Sequence, residues 1–407
     1  MNKLKTGILV IIAAAALTWA GLVHAEGEVE FHPAAVEYTF GKAITFQGQV
    51  VGDVELERAD LILEAPGTPS FIGAAQVSPA GELIFTYDLE QRPLPAFSTL
   101  SYHYQVYFRD GETYRTPEQT FTYYDTRMDW RELQAGVFTV YWYQGDLPFA
   151  RQVLDAAQKG REKMLDLLQQ PPDGREIDIF VYARDEDLQS TLAMAGQSWV
   201  AGHANPELGS VVVSLPPGAD QALKLQRQIP HEIAHVVLYR FMGTEYQYLP
   251  SWVSEGIASQ VEFFPNPEEE VLLEKARERG DLIPFSQLCQ TMPTDPDQAA
   301  LAYAQVDSLL DYIRSEYGVT GVQAMIAAYD QGVGCERGVE MALGTSLKGL
   351  EKDWEKDTFS SGTLSELWYY FMPWLVLPTV IILPVLGIFF LRRYLRRDQT
   401  YREEEDV

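Results

Sequence analysis

His231-Glu232-Ile233-Ala234-His235, followed by Leu249-Pro250-Ser251-Trp252-Val253-Ser254-Glu255-Gly256, is the stretch on which the fold of this chain turns. An α-helix advances about 100° per residue, so His231 and His235 stand one turn apart on one face. Two imidazoles so placed hold one metal ion together. Glu232, one position on from His231, stands beside that ion but off the ligand axis, where a general base reaches a water molecule. Pro250 or Ser251 opens a second helix that carries Glu255 inward as a third ligand. A His-His-Glu set keeps its fourth position open, which suits a catalytic rather than a structural ion.

Working outward, residues 209–214, with Val211-Val212-Val213 inside them, read as the last strand before the metal helix. Upstream, residues 137–143 and 177–182 read as strands. Residues 149–168 read as an amphipathic helix stopped by Pro171-Pro172, and Asp185 begins a shorter one. Downstream, helices are predicted over 298–317, 319–329 and 347–356. A small sheet, the metal helix and a helical remainder make residues 127–360 an α+β domain.

Residues 26–126 follow a different period. Ile44-Thr45-Phe46-Gln47-Gly48-Gln49-Val50 alternates, as do residues 56–63 and 82–87. Tyr102, Tyr104, Val106 and Phe108 share one face, and Arg109-Asp110-Gly111-Glu112 supplies a hairpin turn. Six to eight short strands of this kind make an immunoglobulin- or fibronectin-III-like β-sandwich. No chemistry gathers here: His32 and His103 are single histidines on strands and read as surface or packing residues.

Both ends of the chain carry membrane signals. Lys3 and Lys5 precede an apolar run, and Val23-His24-Ala25 presents small residues for cleavage, so residues 1–25 read as a signal peptide. Residues 361–391 hold a juxtamembrane segment and one transmembrane helix. Within them 368–391 carry no charge, enough to cross a hydrocarbon core of about 30 Å. Trp368, Tyr369, Tyr370 and Trp374 mark its interface, and Arg392, Arg393, Arg396 and Arg397 place the tail, residues 392–407, in the cytoplasm. The expectation is a single-pass protein of the cell membrane with an extracellular N-terminal part. A net charge of −27 over 407 residues argues against nucleic-acid partners. Cys289 and Cys335 are both external, where a disulfide would contribute roughly 3–4 kcal/mol.

Taken together, His231, Glu232, His235 and Glu255 resemble the site of the gluzincins, the thermolysin-like zinc peptidases. The run from Leu249 to Gly256, continued by Ile257-Ala258, is similar to membrane-anchored bacterial proteins of the peptidase-MA-like group. The resemblance implies Zn²⁺ on His231, His235 and Glu255, with Glu232 as general base in peptide-bond hydrolysis. It also implies an oxyanion donor from the helical half, for which Tyr303 is the first candidate and His203 the second. Strand 209–214 resembles in position the sheet edge on which substrate backbone pairs. Ser259 stands where thermolysin-like members have an aspartate supporting a histidine, so the resemblance names no carboxylate for that task. The partner class is a peptide or protein substrate. The alternative is a surface protein that is inactive, or acts on a non-peptide amide, and serves in binding or adhesion.

Overall fold

The computed structural model describes residues 29–53, 55–194 and 202–360, with scattered positions between 371 and 391. The expected leader and cytoplasmic tail lie outside the described residues, as does most of the expected membrane span. Among the described residues, no helix is long and apolar enough to cross a membrane. They cluster into two compact units. The first comprises the residues up to Pro93 with Thr99–Tyr123, and the second Leu94–Ser98 with Tyr124 onward.

The first unit is antiparallel β throughout: β1 (Glu30–Pro33), β2 (Glu37–Thr39), β3 (Ala43–Val51), β4 (Leu56–Glu64), β5 (Phe71–Val77), β6 (Glu82–Asp88), β7 (Ser98–Phe108), β8 (Thr113–Arg115) and β9 (Gln119–Tyr123). The strand order is β1-β3-β6-β5-β4-β7-β8, with β2 on β3 and β9 on β7. Nine strands replace the expected six to eight, because β2 and β8 are three residues each, too short to show alternation. Strand β5 pairs with β4 over Phe71–Ala75 and with β6 at Gln76 and Val77, passing from one half of the sheet to the other. The halves face each other. Phe46 of β3 meets Tyr102 of β7 at 4.8 Å between ring centroids, and Phe31 of β1 meets Tyr104 at 5.8 Å. Ile44, Phe46, Leu61, Leu83, Leu100 and Val106 are wholly out of water, each contributing about 1.5–3 kcal/mol. This is a β-sandwich.

The second unit opens with β10 (Arg131–Ala135), β11 (Phe138–Trp142), α1 (Leu147–Leu168), β12 (Ile177–Tyr182), α2 (Asp185–Met194), β13 (Gly202–Asn205) and β14 (Ser210–Ser214). It continues with α3 (Gln221–Met242), α4 (Ser251–Ser259), α5 (Pro267–Arg279), α6 (Pro296–Tyr329), α7 (Cys335–Leu343) and α8 (Leu347–Ser360). Its sheet runs β10-β11-β12-β14-β13. The three middle strands are parallel and both outer ones antiparallel. Ile177, Ile179, Val181, Val211 and Val213 share a core with α1 and α3, while Phe180, Tyr182 and Val212 join Leu188 and Leu192 of α2 in another. Strand β14 is therefore buried on both faces and bonded on both sides. It is not the sheet edge expected of residues 209–214. That edge is β13, whose few residues show no alternating pattern.

Helix α1 begins where Asp146 accepts from the Phe149 N–H and ends at Gln169, whose φ of 53° stops it short of Pro171. It lies close against α3, since a Cβ on Gly160 would stand 2.7 Å from the Cα of Pro230, the residue before His231. In the helical half α6 is central, packing against α4, α5, α7 and α8. The predicted break between 317 and 319 falls at Gly318, with φ 68° and ψ −177°. Helices α5 and α7 were not foreseen; each has only two buried residues, Leu273 and Ala276 in α5 and Gly338 and Val339 in α7. Cys289 and Cys335 form a disulfide.

Candidate metal centre

Helix α3 carries His231, Glu232 and His235, and α4 carries Glu255, as the spacing required. One carboxylate oxygen is the meeting point. Glu255 Oε2 lies 3.3 Å from His231 Nε2 and 3.5 Å from His235 Nε2. All three donor atoms are within 4.8 Å of one another. A tetrahedral ion with bonds of about 2.0–2.2 Å sets its ligand atoms roughly 3.3–3.6 Å apart, so the donor set is compatible with zinc in its chemistry and in the distances from Glu255 to the two histidines. Gly256 lets α4 lie close against α6, because a side chain there would collide with Leu310 and crowd the Val306 carbonyl of α6.

The outward nitrogen of each imidazole is also engaged. His231 Nδ1 lies 2.9 Å from Glu262 Oε1. His235 Nδ1 lies 3.1 Å from Ser254 Oγ and 3.4 Å from the Tyr246 hydroxyl, and those two oxygens are 3.0 Å apart. Both rings thus turn Nε2 toward Glu255, and such outer contacts fix ring orientation and tautomer. Glu262 is the supporting carboxylate that Ser259 could not supply; Ser259 instead bonds the Glu255 carbonyl of its own helix, at 3.1 Å. Glu262, Tyr246 and Ser254 escaped the sequence reading because no spacing rule links them to the motif.

Burial disfavours a charge on His231, but its bonds to Glu255 and Glu262 outweigh that and raise its pKa well above the usual value. Burial would likewise raise Glu255, yet the two imidazoles hold it well below the carboxylate range. Glu232 is pushed upward by burial, partly offset by the histidines and by a backbone hydrogen bond from Ala204 of β13.

Around these groups is a cavity of about 300 Å³, lined by His203, Ala204, Pro206, His231, Glu232, His235, Tyr246, Glu255 and Tyr303. Both proposed oxyanion donors therefore line the same cavity. Burial raises the Tyr303 hydroxyl far above its ordinary pKa, and it lowers His203 to about 4, with help from His235. Each is uncharged at neutral pH and able to donate.

Residues 157–359 match the family model of the Peptidase MA superfamily. That span contains every residue of the metal centre, and the match points to a peptidase-like hydrolase. No curated protein shows significant similarity to the chain. Among solved structures, the yeast LTA4 hydrolase in complex with bestatin is 13% identical, over 83% of this chain and 67% of that one, with a TM-score of 0.37. A carbohydrate-binding module family 56 β-1,3-glucan binding domain is 14% identical over 23% of this chain and 98% of its own, with a TM-score of 0.17. Neither likeness is close enough to carry a property across.

Proposed function

We propose that the chain is a zinc-dependent peptidase whose ion is held by His231, His235 and Glu255. The observation that supports this best is the convergence of three donor atoms, all within 4.8 Å of one another, beside a buried glutamate that is not one of them. When bound, zinc acidifies water and polarises the scissile carbonyl. Glu232 accepts the proton of the attacking water and returns it to the leaving amine, a role that suits a carboxylate whose pKa burial raises. The Tyr303 hydroxyl donates to the developing oxyanion, with His203 as the second donor on the same wall. Tyr246 stays with Ser254 and His235 and takes no part in the chemistry. Substrate enters from the side of β13, the outermost strand of this sheet among the described residues.

The proposal extends to location. Residues 1–25 and 361–391 support a cell-surface protein held by one membrane span, and the Cys289–Cys335 disulfide suits an oxidising compartment. The test is chelation of the full chain, then zinc added back, assayed on a peptide library. Cleavage should vanish and return with zinc, and Glu255→Ala should lose zinc and cleavage together. Cleavage that survives chelation would contradict the proposal, and zinc binding without any cut would favour a binding protein or another amide substrate.

A further inference from the structure

The ring of His231 is held by a chain of contacts that continues beyond its immediate partner. Glu262 accepts from His231 with Oε1, and its other oxygen, Oε2, lies 3.1 Å from Arg227 Nε. Arg227 is one turn before His231 on the same face of α3. Its Nη2 also reaches Glu269 Oε1 on α5, at 3.5 Å. The backbone beside Glu262 is clamped as well. Lys163 of α1 donates to the Val261 and Glu262 carbonyls at 3.3 and 3.0 Å, and the Phe263 N–H donates to the Gln226 carbonyl at 3.2 Å. The Glu262 side chain is only 16% exposed, and a carboxylate so far out of water is costly without a cation bonded to it.

We propose that Arg227 is a positioning residue of the metal centre, holding the Glu262 carboxylate where His231 Nδ1–H donates to it so that Nε2 faces the ion. This rests on the metal site proposed above. Arg227 is 24% exposed and is not among the residues that line the cavity, so it acts through Glu262 and not on substrate. Without its guanidinium the Glu262 side chain loses the bond that fixes Oε2 among the described residues, and the imidazole loses the acceptor that sets its tautomer.

A simple staple between α3 and α5 would use the same arginine, and a double-mutant cycle separates the two. Zinc affinity of the full chain is measured by chelator competition for wild type, Arg227→Met, Glu262→Gln and the double variant, with melting of each metal-free protein alongside. Each single variant should weaken zinc binding about 10- to 100-fold. The double variant should bind no more weakly than Glu262→Gln alone, because the effect of Arg227 passes through that residue. Arg227→Lys should recover part of the affinity, and Glu269→Gln, which alters the far contact of Arg227 together with the bonds of Glu269 to Asn266 and Asp307, should leave it unchanged. Losses that multiply in the double variant, an unchanged affinity in Arg227→Met, or an equal loss in Glu269→Gln would overturn the proposal. If Arg227→Met does not fold, Arg227→Lys completes the same cycle. A wild-type chain that binds no zinc would instead overturn the metal site itself.

Discussion

Ser254 and Glu255 are chain neighbours that serve two different partners: Ser254 holds the outer nitrogen of His235, and Glu255 approaches the inner nitrogens of both histidines. The four motif residues were legible because helical spacing alone puts His231 and His235 together and a helix start brings in Glu255. Glu262 was not. Helix α4 ends at Ser259, and the position of Glu262 depends on how the chain turns after it. Tyr246 lies in a 3₁₀ turn between α3 and α4 and has no motif of its own. At this scale Tyr303 gives the sharpest prediction. Tyr303→Phe should lower kcat by about 10²–10³ with zinc content unchanged, as loss of one oxyanion donor does. Wild-type kcat in that variant would remove Tyr303 from the chemistry and move attention to His203→Gln.

Two glycines set the distances between elements that the site needs. A methyl on Gly160 would press on Pro230 beside His231, and one on Gly256 would press on Leu310 beside Glu255. Overpacking of this kind costs about 1–3 kcal/mol. Gly256→Ala should lower both stability and zinc affinity, because it shifts the helix bearing Glu255. An unchanged zinc affinity would show that α4 adjusts without moving its ligand. Asp307 of α6 supplies a pH test. Burial, then repulsion from Asp311, Glu269 and Glu262, raises it from 3.8 to about 7. A raised carboxyl pKa means the folded state holds the proton more tightly, so this group's contribution falls as pH rises from about 4 to 7 and stays low above that. Asp307→Asn should therefore stabilise the chain at pH 8, by at most about 4 kcal/mol, and change little at pH 4. An equal effect at both pH values would contradict this. Among elements, long periodic strands and helices were readable, whereas β13 and α5 were not. The local signals of α5 were its caps, Asn266 with Pro267 at the start and Gly280 at the end, and its acidic first and basic last turns.

For the chain as a whole, the alternating strands before residue 126 and the mixed strand and helix pattern after it were enough to separate a β-sandwich from an α+β unit. Which strand forms the edge of the second sheet was not, because that depends on pairing across the chain. The disulfide spans 46 residues of the helical half and receives the Trp252 indole N–H at Cys335, two positions from Ser254. Loss of that cross-link, by Cys335→Ser, should cost about 4 kcal/mol in denaturant unfolding; a loss near zero would show that packing of α4 and α7 suffices without it. The central claim is that His231, His235 and Glu255 hold the ion while Glu232 handles the proton. It is tested most directly by measuring zinc per chain and peptide-cleavage kcat/KM for wild type and Glu232→Gln side by side. The account predicts one zinc in each, with cleavage reduced by about 10²–10⁴ in the variant. Near-normal cleavage by Glu232→Gln, or loss of its zinc, would contradict it.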